Sequence, residues 1–172
     1  FESIELPTSR NKSNLFVNSL LEDTVRKCIW IGTEGCLFKY TPADGQIQRI
    51  DAFHDNSVKS MVLDGYGRLL VGTDNGLYIY REDVPLQHVV HDSRNLQSLS
   101  NNIVWTIYAD REQNIWLGTD YGISMSRCKE ALHYIPISRI TGTGEGNQFY
   151  SMLRDVHGNF WFGGTNGLIR FT

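Results

Sequence analysis

Short apolar stretches of five or six residues, broken by polar turns, run the length of the chain, and no window of useful length places apolar residues at helical spacing. The stretch from 104 to 137 reads most clearly. Residues 104–109 are apolar enough to form a strand buried on both faces, and Asp110-Arg111-Glu112-Gln113 is a tight turn. Residues 115–119 form a second strand. Asp120-Tyr121-Gly122 turns again, with Gly122 supplying the positive φ that such hairpins require. Residues 123–126 and 132–137 are a third and a fourth strand, and the fourth recurs at 47–52 and 86–90. The pattern predicts an all-β chain.

That unit occurs four times. Its core reads CIWIGTEGCLFKY at 28–40, RLLVGTDNGLYIY at 68–80, NIWLGTDYGISMS at 114–126 and NFWFGGTNGLIRF at 159–171. The anchors Trp30, Leu70, Trp116 and Trp161 lie 40, 46 and 45 residues apart. Upstream of each core stand an apolar residue, a second three positions on, and an Asp three further. These are Val17/Leu20/Asp23, Val58/Met61/Asp64, Val104/Ile107/Asp110 and Phe149/Met152/Asp155. A four-stranded unit of about 45 residues is a β-propeller blade. Blades are expected at about 15–53, 56–91, 102–138 and 147–172, with 1–6 as the fourth strand of a preceding blade and the last blade lacking its own. The expected architecture is a segment of a larger propeller, since such repeats suit wider rings. In the alternative, the opening strand completes the last blade and closes a ring of four.

Charge and composition narrow the function. Sixteen Lys and Arg against nineteen Asp and Glu give a net charge of −3, which argues against nucleic acid as a partner. No apolar run approaches the ~20 residues of a membrane span, so a membrane would be met only through segments outside this chain. Cys28, Cys36 and Cys128 cannot all pair, and the first two sit at opposite ends of one hairpin, so all three read as small apolar fillers.

Most recurring residues have structural explanations. The anchor Trp is replaced by Leu70 in one copy, as a core position between blades allows. The recurring Asp residues end strands at turns, where a carboxylate caps backbone N–H groups. The Gly-Thr pairs precede no helix and are no phosphate loop. His88 and His91 have no Cys or carboxylate to complete a metal set, and no metal or cofactor is expected. No nucleophile elbow or catalytic carboxylate pair can be identified, and no catalytic residue is assigned.

Function in a propeller resides in the loops of one rim. Strand order puts the second-to-third turns and the loops entering each inner strand on the same rim. The turns supply Glu34, Asp74, Asn75, Asp120 and Tyr121, along with Thr165 and Asn166. The loops supply Asn102, Asn147 and Gln148, along with Asn101. Trp105 and Tyr150 begin inner strands beside them, where other copies have Asn18 and Lys59. An amide- and aromatic-rich rim suits a neutral, hydroxyl-rich ligand through stacking and amide hydrogen bonds. Turn conformation alone also explains many of the Asn, Asp and Gly residues.

The unit at 98–125 resembles the two-component regulator propeller repeat. The resemblance rests on Leu99-Ser100-Asn101-Asn102 before an inner strand, the Asp110 turn, Trp116-Leu117-Gly118-Thr119 and Gly122-Ile123. It covers nearly all of the chain. Departures are Gly35-Cys36 in the first copy, Gln113 where other turns have Gly67 and Gly158, and Gly163-Gly164 in place of Gly-Thr. The resemblance implies the periplasmic sensor region of a hybrid two-component system of the Bacteroidetes type. Such a region binds a nutrient-derived ligand such as an oligosaccharide, or mediates sensor assembly, without catalysis. Its expected partners are that small molecule and either further blades or a second copy of the chain. A propeller glycoside hydrolase or lyase is the competing reading, and a scaffold without a small ligand the third.

Overall fold

The computed structural model describes residues 3–7, 15–53, 55–127, 134–136 and 147–172. Four antiparallel sheets follow one another along the chain. The first blade holds Val17–Asp23 (β1), Cys28–Thr33 (β2), Leu37–Thr41 (β3) and Gln46–Ile50 (β4), followed by a 3-10 turn at Asp51–Phe53. The second holds Val58–Leu63 (β5), Leu69–Thr73 (β6), Gly76–Arg81 (β7) and Val84–Val89 (β8). The third holds Val104–Ala109 (β9), Ile115–Thr119 (β10), Gly122–Ser126 (β11) and Tyr134–Pro136 (β12), and the fourth Phe149–Arg154 (β13), Phe160–Gly164 (β14) and Gly167–Phe171 (β15). Strand order is sequential in every sheet, as in a propeller blade. The first strands stand side by side in the order β1, β5, β9, β13 and form the inner edge of an arc. Residues 3–7 pair with no strand among the described residues, and Leu6 packs with Leu15 against the Ile31, Cys36 and Phe38 cluster. Among the described residues no helix is long and apolar enough to cross a membrane.

The core lies between blades. Trp30 and Leu37 of the first blade meet Val58, Met61, Leu69 and Val71 of the second. Leu70 and Leu77 meet Val104, Ile107, Ile115 and Leu117, and Trp116 and Ile123 meet Phe149, Phe160 and Phe162. One contact recurs at each interface. The glycine of the Gly-Thr pair leaves a hole that the first apolar residue of the next inner strand fills. A Cβ on Gly32 would lie 2.4 Å from Val58, one on Gly72 2.9 Å from Val104, and one on Gly118 2.8 Å from the Phe149 carbonyl. Val58, Val104 and Phe149 are accordingly fully buried. The threonine of the pair closes the adjoining turn: Thr33, Thr73 and Thr119 each donate from Oγ1 to the carbonyl three residues on, at 3.0, 3.0 and 2.8 Å.

Each lower turn is organised by its Asp. Oδ1 of Asp64, Asp110 and Asp155 accepts the backbone N–H four residues on, at 2.9, 2.7 and 2.9 Å. Where the anchor is Trp, Oδ2 also accepts its indole N–H: Trp30 to Asp23 at 3.2 Å, Trp116 to Asp110 at 3.0 Å, and Trp161 to Asp155 at 2.9 Å. In the second blade, where Leu70 replaces Trp, the Arg68 guanidinium takes that oxygen at 2.6 Å. Burial pushes the Asp23 carboxyl up, but bonds from the Arg26 backbone and side chain and from Trp30 outweigh it, and the net shift is downward. The Asn159 amide and then the Trp161 indole hold Asp155 well below the usual carboxylate range. Both carboxyls therefore sit below their unfolded values. The stability they contribute is complete above about pH 4 and is lost as pH falls through the folded values. The melting temperature is expected to drop as pH is lowered below about 4, and Asp155→Asn, which cannot titrate, to flatten the drop. An unchanged slope in the variant would show that Asp155 contributes nothing to it.

Candidate ligand-binding site

All four inner strands break register at the same place. Pairing skips one residue between Val17 and Ser19, between Val58 and Ser60, between Val104 and Thr106, and between Phe149 and Ser151. The extra residues are Asn18, Lys59, Trp105 and Tyr150. A β-bulge leaves its extra residue outside the ladder and re-aims the side chain. Here the four bulges put one side chain per blade in a row along the upper inner edge.

Their contacts link the four blades. Asn18 donates from Nδ2 to Glu34 Oε1 at 2.9 Å and to the Val58 carbonyl at 3.1 Å. Ser57 Oγ donates to Glu34 Oε2 at 2.6 Å, and Lys59 Nζ lies 3.5 Å from Glu34 Oε1. The Lys59 ammonium also stands over the Trp105 ring, 5.0 Å from its centroid. Trp105 Nε1 donates to Asp120 Oδ1 at 3.0 Å, and its ring meets Tyr150 edge to face at 5.1 Å. The Tyr150 hydroxyl donates to Gln148 Oε1, and Gln148 N donates to Thr165 Oγ1 at 3.2 Å. Tyr150 remains 44% exposed, so the row ends in an open aromatic ring. The Ser57 hydroxyl and the Asn18 amide hold the Glu34 carboxyl below its ordinary range. A group held in that state is an acceptor for ligand hydroxyls and is unsuited to delivering a proton.

Of the rim residues nominated from sequence, the structure brings Glu34, Trp105, Asp120, Gln148 and Tyr150 into this row. Tyr121 is exposed beside Asp120 on the same turn. Asp74, Asn75, Asn102 and Asn147 are instead held by contacts within the rim loops. Asp74 Oδ1 accepts the Ser57 N–H at 3.0 Å. Asn75 offers its carbonyl to His88 Nε2, whose ring stacks on Tyr78 at 4.1 Å. Asn102 Oδ1 accepts the His91 N–H at 2.6 Å. Asn147, 3% exposed, accepts from the Thr165 hydroxyl and the Asn166 N–H, both at 3.3 Å. Sequence reasoning named Asn18 and Lys59 only as counterparts of Trp105 and Tyr150. The signal that identifies them is the three-residue spacing of Val17 with Leu20 and Val58 with Met61. In a regular strand that spacing puts two apolar residues on opposite faces, and one inserted residue returns them to the same face.

His91 Nδ1 donates to the Leu99 carbonyl at 2.6 Å, so neither histidine offers a free pair of nitrogens. Among the described residues no three His, Cys, Asp or Glu side chains are grouped to hold a metal. Cys28 and Cys36 are buried free thiols, pushed up in pKa by burial, and Cys128 lies outside the described residues.

Comparison with known proteins follows the same lines. The family model described as two component regulator propeller matches residues 98–121. Its Leu-Ser-Asn-Asn segment has a structural role at each position. Leu99 is core, and Ser100 Oγ bonds Thr119 Oγ1 and Ser124 Oγ, both at 2.9 Å. Asn101 caps the Ile103 N–H at 2.8 Å, and Asn102 holds His91. Among solved structures, the chain is similar to the extracellular domain of the hybrid two component system BT4673 from B. thetaiotaomicron, with 68% identity and a TM-score of 0.70 over 98% of this chain and 23% of that one. It is also similar to the extracellular domain of the hybrid two component system BT3049 from the same organism, with 26% identity and a TM-score of 0.71 over 96% of this chain and 23% of that one. The chain thus spans about a quarter of the length of these relatives. A streptogramin B lyase at 11% identity and a TM-score of 0.65, matched over 99% of this chain and 57% of that one, shares the fold alone. No curated protein matches. The chain thus carries a two-component regulator propeller repeat at residues 98–121, within a run of four propeller blades of one pattern.

Proposed function

We propose that the chain is an extracytoplasmic sensor segment of a hybrid two-component system and that it binds a nutrient-derived ligand of the oligosaccharide class on its upper rim without chemical turnover. The observation that carries this reading is the row of bulge residues Asn18, Lys59, Trp105 and Tyr150 with its acceptors Glu34 and Asp120. It offers an amide, a cation, two aromatic rings and two carboxylates within one continuous edge, which suits a ligand with hydroxyls around an apolar ring face. The extracellular setting of the two B. thetaiotaomicron relatives supports a location outside the cytoplasm, and the periplasm is our reading of it. The lowered pKa of Glu34 weighs against its use as a general acid.

The test is calorimetric titration of the chain with a panel of neutral and acidic oligosaccharides. A binder from the panel is expected to lose about tenfold in affinity with Tyr150→Ala or Trp105→Ala, the ~1.4 kcal/mol of one aromatic contact. Arg94→Ala, on the exposed loop after the second blade, is expected to leave affinity unchanged. Equal affinity in Tyr150→Ala, Trp105→Ala and the unmodified chain would remove this site, and turnover of any panel member would replace the sensor reading with the enzymatic one.

A further inference from the structure

Lys59 is the bulge residue of the second blade, which stands between two others, and its side chain is enclosed from both sides. On one side is the Glu34 carboxylate, with Oε1 3.5 Å from Nζ; on the other is the Trp105 ring, its centroid 5.0 Å away. The Lys59 side chain is only 15% exposed. Neither wall depends on the lysine for its place. Glu34 is held by the Ser57 hydroxyl at 2.6 Å and the Asn18 amide at 2.9 Å, donors that keep its carboxyl below its ordinary range. Trp105 is held by Asp120 at 3.0 Å and by its edge-to-face contact with Tyr150. An ionised carboxylate facing an aromatic ring across the width of one ammonium group has the composition of a cation site.

We infer that Glu34 and Trp105 form a subsite for a primary ammonium group, that Lys59 occupies it as a tethered cation, and that Lys59 thereby determines which ligands the rim admits. A tethered group acts at the effective concentration of an intramolecular partner, so a free amine competes at a large disadvantage. A ligand ring seeking the same face of Trp105 must first draw the ammonium away from Glu34, and a neutral ring offers that carboxylate no charge in exchange. The rim of the intact chain is therefore closed to amine-bearing ligands at this point. The open ring of Tyr150 is the stacking surface left to neutral ones. The subsite rests on the geometry of three side chains and stands whether or not a sugar binds the row.

Cutting the lysine side chain back to Cβ leaves a space matching n-propylammonium, which serves as the probe. With Lys59→Ala, n-propylammonium chloride is expected to bind with a dissociation constant on the order of 10 mM. At ~100 mM it is expected to raise the melting temperature by about 3–6 °C over sodium chloride of equal concentration. The unmodified chain, Lys59→Met and the double variant Lys59→Ala/Glu34→Gln are expected to show no such rise. 1-Propanol, of the same shape without the charge, is expected to give none with Lys59→Ala. Lys59→Ser takes the place of Lys59→Ala should the latter fail to fold by circular dichroism. The subsite is overturned if the folded variant shows no rise, or if the unmodified chain or Lys59→Met rises equally. A rise that survives Glu34→Gln, or that 1-propanol matches, overturns it as well.

Discussion

Gly118→Val is expected to lower the stability of the chain by about 3 kcal/mol, which for a chain of this size is a fall of about 6–12 °C in melting temperature. The backbone at Gly118 has no unusual torsion, so conformational strain is not the cause. The new Cβ would sit 2.6 Å from Thr106 Cγ2 and 2.8 Å from the Phe149 carbonyl oxygen. The first is the methyl of a β-branched side chain on the blade's own inner strand, and the second is main chain of the fourth blade, which cannot withdraw without parting the two blades. The corresponding change at Gly163 meets a single hydroxyl that can rotate, and is expected to cost the isolated fold under about 0.5 kcal/mol. Denaturant titration of both variants makes the comparison. Equal losses at the two positions would mean that glycine is needed within the blade rather than between blades.

Asp110→Ala is expected to cost about the same, near 3 kcal/mol, for a different reason. The carboxylate is 4% exposed and accepts from the Asn114 backbone at 2.7 Å, the Asn114 amide at 2.9 Å and the Trp116 indole at 3.0 Å. Removing it uncaps the turn and leaves a buried indole N–H without its acceptor. The second loss is conditional on the first residue pair being intact, so the cost of Asp110→Ala is expected to shrink by about 1 kcal/mol in a Trp116→Phe background. Strict additivity in that double-mutant cycle would show that the indole–carboxylate bond contributes nothing, leaving the turn cap as the whole effect.

The repeat made the blades legible in the sequence. The spacing of Trp30, Leu70, Trp116 and Trp161 predicted four sheets, and the bounds of β9 and β10 agree with the residues read as inner and second strands. The anchor Trp as core and the Asp as turn cap were also readable, because both are local consequences of residue type. The bond between them was not, since it joins residues six or seven apart across a turn. The rim was only half legible. Turn residues of the same type, Asp74 and Asp120, point to different partners, one to a backbone N–H and the other to an indole on the neighbouring strand. Side-chain identity does not decide that. The bulge decides it, and a bulge leaves only an odd spacing of apolar residues as its trace.

The bulges have a consequence for how such a protein can change. Positions 18, 59, 105 and 150 are spliced out of the ladder, while the residues just before them in β5, β9 and β13 carry the packing and are fully buried. Asn, Lys, Trp and Tyr, four side chains with almost nothing in common, are all accommodated there by the same backbone. The chemistry of the rim is thereby uncoupled from foldability. Each blade contributes one interchangeable letter to the rim, and a descendant could rewrite that word one blade at a time without renegotiating the core beneath it.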